Sequence, residues 1–367
     1  MSSGRVCSRE STCGKTSFHI AVCGVVAAMV LLYAGALYSQ GSKTVPPTDH
    51  GHVNADAESD LRTGIDLARS GKLEQAIPHL QAASGHVKNE YAAEFNLTLC
   101  YVGTGQFDAA IDALNRLRAS GYNNAAMNNL LAQAYVGKKN PRAALDALHE
   151  AAAQTPKDEK LYTLIADACT DYKEYDLGLQ VVNFGLAELP QSSRLHYERA
   201  LFLARMDRFE EAKPEFSLAA NLSPESDIAY LAMVQEALYE DKIADAVLLA
   251  RRGIAAGHGD YILLTLLGTV LLHAGAVPGQ PEFAEAKTSL EASVSQRPDY
   301  STAQIALGNL YLMDNRLNDA VIHLEIGRRL EPQNAAVYPP LANAYRRLGE
   351  RQKAQEMIAI LRRLVQN

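Results

Sequence analysis

The chain has no tryptophan, and it has little cysteine, with 5 in 367 residues. Cys7 and Cys13 precede a long apolar run, Cys23 lies inside it, and only Cys100 and Cys169 occur in the rest of the chain. A fold that is held together by disulfides needs a denser and better-paired set of cysteines. The sequence therefore predicts that Cys100 and Cys169 are small, buried apolar side chains.

The sequence also lacks a recognisable catalytic or metal-binding set. Residues 14–16 read Gly-Lys-Thr, but a phosphate-binding loop needs a glycine five residues earlier, where Arg9 stands. His149 begins a zinc-protease string, yet the second histidine of that string is replaced by Ala153. His50 and His52 could contact a metal ion, but the sequence offers no third ligand beside them. We therefore expect a non-enzymatic protein with no cofactor and no metal.

An excess of positive charge is missing as well. The chain has 35 Lys and Arg against 42 Asp and Glu, a net charge of −7, which is too acidic overall for a dedicated nucleic-acid-binding protein. The last segment is the exception, because its basic residues outnumber its acids: Arg346, Arg347, Arg351, Lys353, Arg362 and Arg363 stand against Glu350 and Glu356. This segment is either a solvated end of the molecule or a contact for an acidic partner, an envelope polymer or anionic lipid headgroups.

What the sequence does contain is a period of 34 residues, which is typical of stacked helix pairs. Blocks begin at Ala57, Tyr91, Ala125, Glu159, Ser193, Asp227, Tyr261, Ser301 and Ala335. Position 20 is small in every block, position 8 is small in most, and position 24 is usually a larger apolar residue. Proline occupies position 32 in five blocks, where it ends a helix: Pro156, Pro190, Pro224, Pro298 and Pro332. This pattern predicts a close helix crossing that recurs in each block, with the position-24 side chain beside it.

The best-preserved block resembles the tetratricopeptide repeat family. It reads Leu-Gly-x-x-Tyr at 307–311, followed by Ala320, Leu324 and Pro332, and the resemblance covers about 311 residues. The resemblance implies an all-α fold, a right-handed α-solenoid of about nine helix-turn-helix repeats at 57–367, with the first helices lining a concave groove.

Two blocks depart from the pattern. The seventh is 40 residues long, and its extra residues near 274–281 include two prolines and two glycines, which predict a lengthened turn rather than a longer helix. The ninth has Pro339 and Pro340 where its first helix should begin, so that helix is expected to begin late.

The N-terminal region has a different character. An apolar core of 21 residues at 18–38 is interrupted only by His19 and is long enough to cross a bilayer as a helix of roughly 30 Å. Basic residues concentrate before this core, which places the N-terminus in the cytoplasm. The sequence predicts a cytoplasmic leader at 1–17, a transmembrane signal-anchor helix at 18–38 and a flexible tether at 39–56. The repeats would then be periplasmic or extracellular.

The small residues Ala34, Gly35 and Ala36 leave an alternative open. They resemble a signal-peptide cleavage site, so the repeats could instead be secreted to the periplasm after cleavage near Ala36.

In the family that this chain resembles, positions 2, 5, 9, 12 and 13 of each first helix face the groove. The candidate partner-binding residues obtained in this way are Asn129, Gln133, Asp167, Arg194, Tyr197, Arg205, Gln235, Tyr239, His273, Asn309, Asn343, Arg346 and Arg347. Position 5 is never lysine, so the carboxylate clamp of some chaperone-binding members is absent.

These observations favour a membrane-tethered scaffold that binds a protein partner in its groove. The alternative is a binder of a cell-envelope polymer, either polysaccharide or cell-wall material, that assists its export or assembly. The polar middle of the groove and the basic last block are the features that support the alternative.

Overall fold

The structure is a computed structural model that describes residues 55–366, and within that range the chain is helical throughout, with no strand. The α-helices are α1 (Ala55–Arg69), α2 (Leu73–Ala83), α3 (Glu90–Gly103), α4 (Phe107–Ala119), α5 (Ala125–Gly137), α6 (Pro141–Ala152), α7 (Glu159–Asp171), α8 (Tyr175–Glu188), α9 (Ser193–Arg205), α10 (Phe209–Leu222), α11 (Asp227–Tyr239), α12 (Ile243–Ala255), α13 (Tyr261–His273), α14 (Pro281–Gln296), α15 (Ser301–Met313), α16 (Leu317–Leu330), α17 (Tyr338–Arg347) and α18 (Arg351–Gln366). Each odd-numbered helix is the first helix of one block and each even-numbered helix is the second. The predicted all-α repeat architecture is confirmed.

The predicted leader, the predicted membrane helix at 18–38 and nearly all of the tether at 39–56 lie outside the described residues. Helix α1 begins at Ala55, two residues before the first block. Between residues 55 and 366, no helix has the length and apolar character that crossing a membrane requires.

The close helix crossing that the small residues predict is confirmed. A Cβ atom placed on Gly308, at position 8, would lie 2.6 Å from Cγ of Leu324 and 3.2 Å from the carbonyl oxygen of Ala320. A Cβ atom on Gly268 would lie 2.5 Å from Cγ of Leu290. Positions 8, 20 and 24 therefore form one repeated contact between the two helices of a block.

Position 15, just after the first helix, has a left-handed backbone in all nine blocks. The residues are Gly71, Gly105, Lys139, Lys173, Asp207, Asp241, Gly275, Asn315 and Gly349. The N–H of the next residue donates back to the carbonyl of position 11, as Glu174 does to Cys169 at 2.8 Å, and this bond closes the helix end. Five blocks therefore hold a side chain in a conformation that favours glycine.

We expect Lys173→Gly and Asp207→Gly each to raise the free energy of unfolding by about 0.5–1 kcal/mol. Both side chains are exposed, so little is lost with them. Urea unfolding measures the change. Gln180→Gly, inside α8, is the control and should lower stability by about 1 kcal/mol. A loss of stability in both position-15 variants would contradict the argument.

The two irregular blocks depart from the pattern as predicted, except that the seventh block also has a longer helix, where only a longer turn was expected. The turn between α13 and α14 covers residues 274–280, whereas the next block uses only 314–316. Helix α14 also has 16 residues against 14 in α16, so the insertion lengthens both the turn and a helix. Helix α17 has 10 residues and follows a short 3₁₀ turn at Ala335–Val337, which confirms its late start.

Cys100 and Cys169 are buried and free, as predicted. Burial raises the pKa of the Cys100 thiol to about 12, so it stays protonated at neutral pH. It behaves as a packing residue.

The buried apolar side chains form two clusters that meet on α9. Leu195 and Phe202 belong to the first cluster, and Tyr197, Ala200 and Leu203 belong to the second. Helix α9 is therefore the place where the core changes from one cluster to the other.

Candidate functional site

A cavity of about 110 Å³ lies beside α9, between first helices that are far apart in the sequence. Its lining residues are Asp167, Thr170 and Asp171 of α7, Arg194, Tyr197, Glu198, Leu201, Phe202 and Arg205 of α9, Tyr261 and Ile262 of α13, and Arg297 and Tyr300 of the segment before α15. Because α9 and α13 belong to the fifth and seventh blocks, the surface formed by the first helices curves inward here.

Helix α9 is held by a cap that also ties it to the preceding block. The Ser192 hydroxyl accepts the N–H of Leu195 at 3.0 Å and donates to the Glu159 carboxylate at 2.5 Å. Its cavity-lining residues Arg194, Tyr197 and Glu198 follow at helical spacing and share one face. The site therefore rests on a fixed helix.

Three charged side chains meet at the base of the cavity. Arg194 Nη2 lies 2.7 Å from Glu198 Oε1 and 3.9 Å from Asp167 Oδ1. The exposed fractions of the Asp167 and Glu198 side chains are 13% and 5%. Burial first, and the charge of Glu198 second, raise the pKa of the Asp167 carboxyl, while Arg194 acts in the opposite direction. Asp167 therefore holds its proton more tightly than an ordinary aspartate does.

Two polar atoms in the cavity wall are buried and have no hydrogen-bond partner among residues 55–366: Tyr197 Oη and Arg194 Nε. Tyr197 is 3% exposed, and its ring lies 6.0 Å from that of Phe216. An unpaired buried polar atom costs about 1–3 kcal/mol. Both atoms therefore have an unmet hydrogen-bonding requirement within the described part of the chain.

The opposite wall is a stack of aromatic and charged groups. The Arg297 guanidinium lies 5.1 Å from the centre of the Tyr261 ring, which meets the Tyr300 ring at 5.0 Å. Arg297 also pairs with Asp299 at 2.9 Å. These contacts hold the wall in place.

A second, larger cavity of about 360 Å³ lies between α10 and α11 and is lined by Phe209 and Tyr239, among others. Its charged groups pair with one another, because Lys213 and Lys242 both contact Glu240. These hydrogen bonds lower the pKa of Glu240 to about 2. Within residues 55–366, no buried polar side-chain atom of this lining lacks a hydrogen-bond partner, so this cavity is a weaker candidate than the one beside α9.

Four of the residues that the sequence proposes are brought together in the cavity beside α9: Asp167, Arg194, Tyr197 and Arg205. Tyr239 lies in the second cavity instead.

The expectation that Asn129, Gln133 and Gln235 are accessible in the groove is wrong, because they are 1%, 2% and 4% exposed. Tyr197, at 3% exposed, is equally enclosed and differs in that it borders the cavity beside α9. Asn129 Nδ2 donates to the carbonyl of Leu161 on the next first helix at 2.8 Å, and Gln133 bonds to Asn129. Neighbouring first helices pack closely enough to enclose these side chains, so Asn129 and Gln133 join repeats.

The remaining proposed residues lie in later blocks, away from the cavity. His273 is exposed at the end of α13, and Asn309 is half-buried on α15. Arg346 bonds to Asn343 at 3.1 Å.

Arg347 bonds to the preceding block, with donors 3.0 Å from the Leu312 carbonyl and 2.7 Å from Asn315 Oδ1. Arg347 therefore ties the ninth block to the eighth.

Several lining residues were not predicted, namely Glu198, Tyr261, Arg297 and Tyr300. Glu198 follows Arg194 by four residues, a spacing at which opposite charges pair on a helix, so this signal was present. The others come from a helix start and an inter-block turn, to which the projected groove positions do not extend. In the described range, no group of three or more His, Cys, Asp or Glu side chains is placed to hold a metal.

The comparisons with known proteins support the repeat fold. A family model described as tetratricopeptide repeat matches residues 67–134. No curated protein matches the chain. The solved structure of yeast Tom70 is 14% identical, with a TM-score of 0.55, and the match covers 91% of this chain and 69% of Tom70.

Two further solved structures are similar. The match to the APC/C hetero-tetramer Cut9–Hcn1 has 16% identity and a TM-score of 0.51, and it covers 93% of this chain and 74% of that one. A tetratricopeptide repeat protein from Parabacteroides merdae is 16% identical with a TM-score of 0.49, covering 69% of this chain and 98% of that one. At these low identities, the two matches with a TM-score above 0.5 show a shared fold and no more.

Proposed function

Because this chain is a tetratricopeptide repeat protein, we propose that it is a non-enzymatic scaffold that binds a protein partner on the concave side, at the cavity beside α9. The observation that carries the proposal is the pair of buried polar atoms, Tyr197 Oη and Arg194 Nε, that have no partner within residues 55–366. A partner that supplies hydrogen bonds to them recovers an energy that the free chain lacks. The cavity is also bounded by aromatic and arginine side chains, the types that most often anchor interfaces.

We further propose that residues 18–38 tether this scaffold to a membrane, with the repeats on the periplasmic or extracellular side. The support is the length of the apolar core and the concentration of basic residues before it. Cleavage near Ala36 would release the same scaffold into the periplasm.

Site-specific photocrosslinking tests the binding surface. A photoreactive amino acid replaces Leu201, a half-buried residue in the cavity wall, or Leu248, which is 65% exposed on α12, a second helix. We expect one protein to crosslink from position 201 in the native cells and to be absent from position 248. Equal crosslinking from both positions, or crosslinking from 248 alone, would rule out the cavity as the binding surface. Crosslinks to polysaccharide in place of protein would favour the envelope-polymer alternative.

Membrane attachment is tested separately by fractionation. The full chain should remain in the membrane pellet after alkaline carbonate extraction, and a chain that lacks residues 1–38 should be released. Protease added to intact spheroplasts should digest the repeats. Repeats that survive while a periplasmic control protein is cut would show that the proposed orientation is wrong.

A further inference from the structure

The charges at the base of the cavity beside α9 do not balance. Arg194 is hydrogen-bonded to Glu198 at 2.7 Å, and its distance of 3.9 Å from Asp167 is too long for a hydrogen bond. The single guanidinium of Arg194 is therefore shared by the carboxylates of Glu198 and Asp167, which are both almost buried. An unpaired buried carboxylate is costly unless it takes up a proton or a cation approaches it. Asp167 therefore lacks a close positive partner at the base of the cavity, although Arg205 and Arg297 line the cavity elsewhere.

The unpartnered atoms add a second and independent requirement. The Tyr197 hydroxyl can accept a hydrogen bond from a cationic donor, but Arg194 Nε–H can only donate and needs an oxygen acceptor. A free inorganic cation supplies no acceptor. A polypeptide supplies both groups, because a basic side chain brings the cation and the backbone brings carbonyl oxygens.

The size and walls of the cavity favour an ammonium group over a guanidinium. Its volume of about 110 Å³ is small, and Leu201, Phe202 and Ile262 give it an apolar side. A lysine side chain has a compact charge on a slender methylene stem, and such stems pack along apolar surface. A planar guanidinium is broader than an ammonium group.

We propose that the cavity binds a lysine side chain of the partner protein. The ammonium lies against the Asp167 carboxylate. The enclosed side chains of Tyr197 and Arg194 shift on binding, so that the Tyr197 hydroxyl accepts a hydrogen bond from the ammonium and the Arg194 Nε–H donates to a backbone carbonyl of the partner. This inference rests on the proposed function and names the chemical group that the scaffold recognises.

Proton linkage gives the proposal a distinct signature. Since burial and Glu198 raise the pKa of Asp167, the free protein holds a proton there that the ammonium displaces. Affinity should therefore rise with pH, by up to about tenfold per unit, until Asp167 ionises in the free protein. The other charged and titratable groups that face Asp167 or line the same cavity are Asp171, Arg194, Tyr197, Glu198, Arg205, Tyr261, Arg297 and Tyr300.

The first test selects a phage-displayed library of random linear peptides on the immobilised full chain in detergent micelles. We expect a lysine fixed at one position of the recovered peptides. In the best synthetic peptide, acetylation of that lysine should weaken binding by at least about tenfold, because the charge is removed. Asp167→Asn should produce a similar loss, whereas Asp112→Asn, at an exposed position on α4, should leave the dissociation constant unchanged.

Calorimetry in two buffers of different ionisation enthalpy then counts protons. We expect about one proton to be released on binding to the parent chain near neutral pH and none on binding to Asp167→Asn. Thermal unfolding shows that the variant is folded, and its melting temperature should equal or exceed that of the parent.

The outcomes separate the two claims. Peptides anchored by arginine or by an acid, or an unchanged dissociation constant in Asp167→Asn, would overturn the lysine site and leave the scaffold function standing. Binding without proton release would overturn the displacement step and with it the pairing to Asp167. Recovery of no peptide would count against both the lysine site and the proposed function.

Discussion

Gly308→Val should lower the free energy of unfolding by about 2–3 kcal/mol. The first atom that valine adds already meets Leu324 Cγ at 2.6 Å and the Ala320 carbonyl oxygen at 3.2 Å. Neither contact can be relieved at low cost, because one atom is backbone and the other is a branch point near the start of its side chain. Helices α15 and α16 would have to separate, and Leu324 is fully buried between them.

A double-mutant cycle shows whether the loss comes from this contact. Leu324→Ala alone should cost about 2–5 kcal/mol, because it leaves a cavity beside Gly308. When the two substitutions are combined, the valine methyl groups enter that cavity, so the double variant should be more stable than the sum of the single losses predicts by at least about 1 kcal/mol.

Urea unfolding and hydrogen exchange measure these losses. Since each block packs only on its neighbours, the exchange rates of amides in α15–α18 should rise more than those in α1–α4. Ala359→Val, at an exposed position of α18, is the control for added volume and should change stability by less than about 0.5 kcal/mol. Strict additivity in the cycle would show that Gly308 and Leu324 do not share a contact in the folded chain.

The contact at Gly308 could be predicted from the sequence because it is local and repeated. Positions 8, 20 and 24 belong to two helices that are joined by a short turn, so the same small and large residues recur at the same phase in every block. The left-handed position 15 was not identified, because Lys173, Asp207 and three other residues interrupt the run of glycines there. Because this turn also accepts residues other than glycine, the residue types at position 15 indicate the left-handed conformation in only some of the blocks.

The cavity could be predicted only in part, because it depends on curvature. Asp167 and Tyr197 lie on neighbouring first helices, and their repeat positions place them on one side of the solenoid. Tyr261 and Arg297 belong to the seventh block, two blocks beyond Tyr197, and line the same cavity. A short-range sequence pattern does not show which residues two blocks apart approach one another. The misplacement of Asn129 has the same origin, since the spacing between first helices decides whether position 5 is open or enclosed.

The curvature that brings these residues together also explains the electrostatic cost of the site. Asp167 would be a solvated groove residue on a flatter solenoid, where water would stabilise its charge. Here Glu198 and Arg194 from the next block enclose it, and its side chain is only 13% exposed. In the free chain, an acidic side chain therefore occupies a site where its ionised form is poorly stabilised. This lowers the stability of the fold, which a residue with only a structural role would not need to do.

Asp167→Asn should therefore stabilise the free chain by an amount that grows as the pH rises above about 4, by up to about 1.4 kcal/mol for each pH unit until Asp167 ionises in the folded chain. In the folded chain, burial and Glu198 raise the pKa of Asp167, whereas the unfolded chain loses this proton above about pH 4. Folding then takes up a proton, so the contribution of Asp167 to stability falls as the pH rises from about 4 toward the raised pKa. Asparagine does not titrate and keeps nearly the same shape.

Urea unfolding of both chains at several pH values between 5 and 8 measures the difference. The gap between variant and parent should widen steadily as the pH rises, and Asp112→Asn should show no such trend. A variant that is less stable than the parent at pH 8 would mean that the Asp167 carboxylate is already well paired in the free chain. Asp167→Asn should then make the free chain more stable and lysine binding weaker. That combination would identify the Asp167 carboxyl group as one that is retained for recognition although it lowers the stability of the fold.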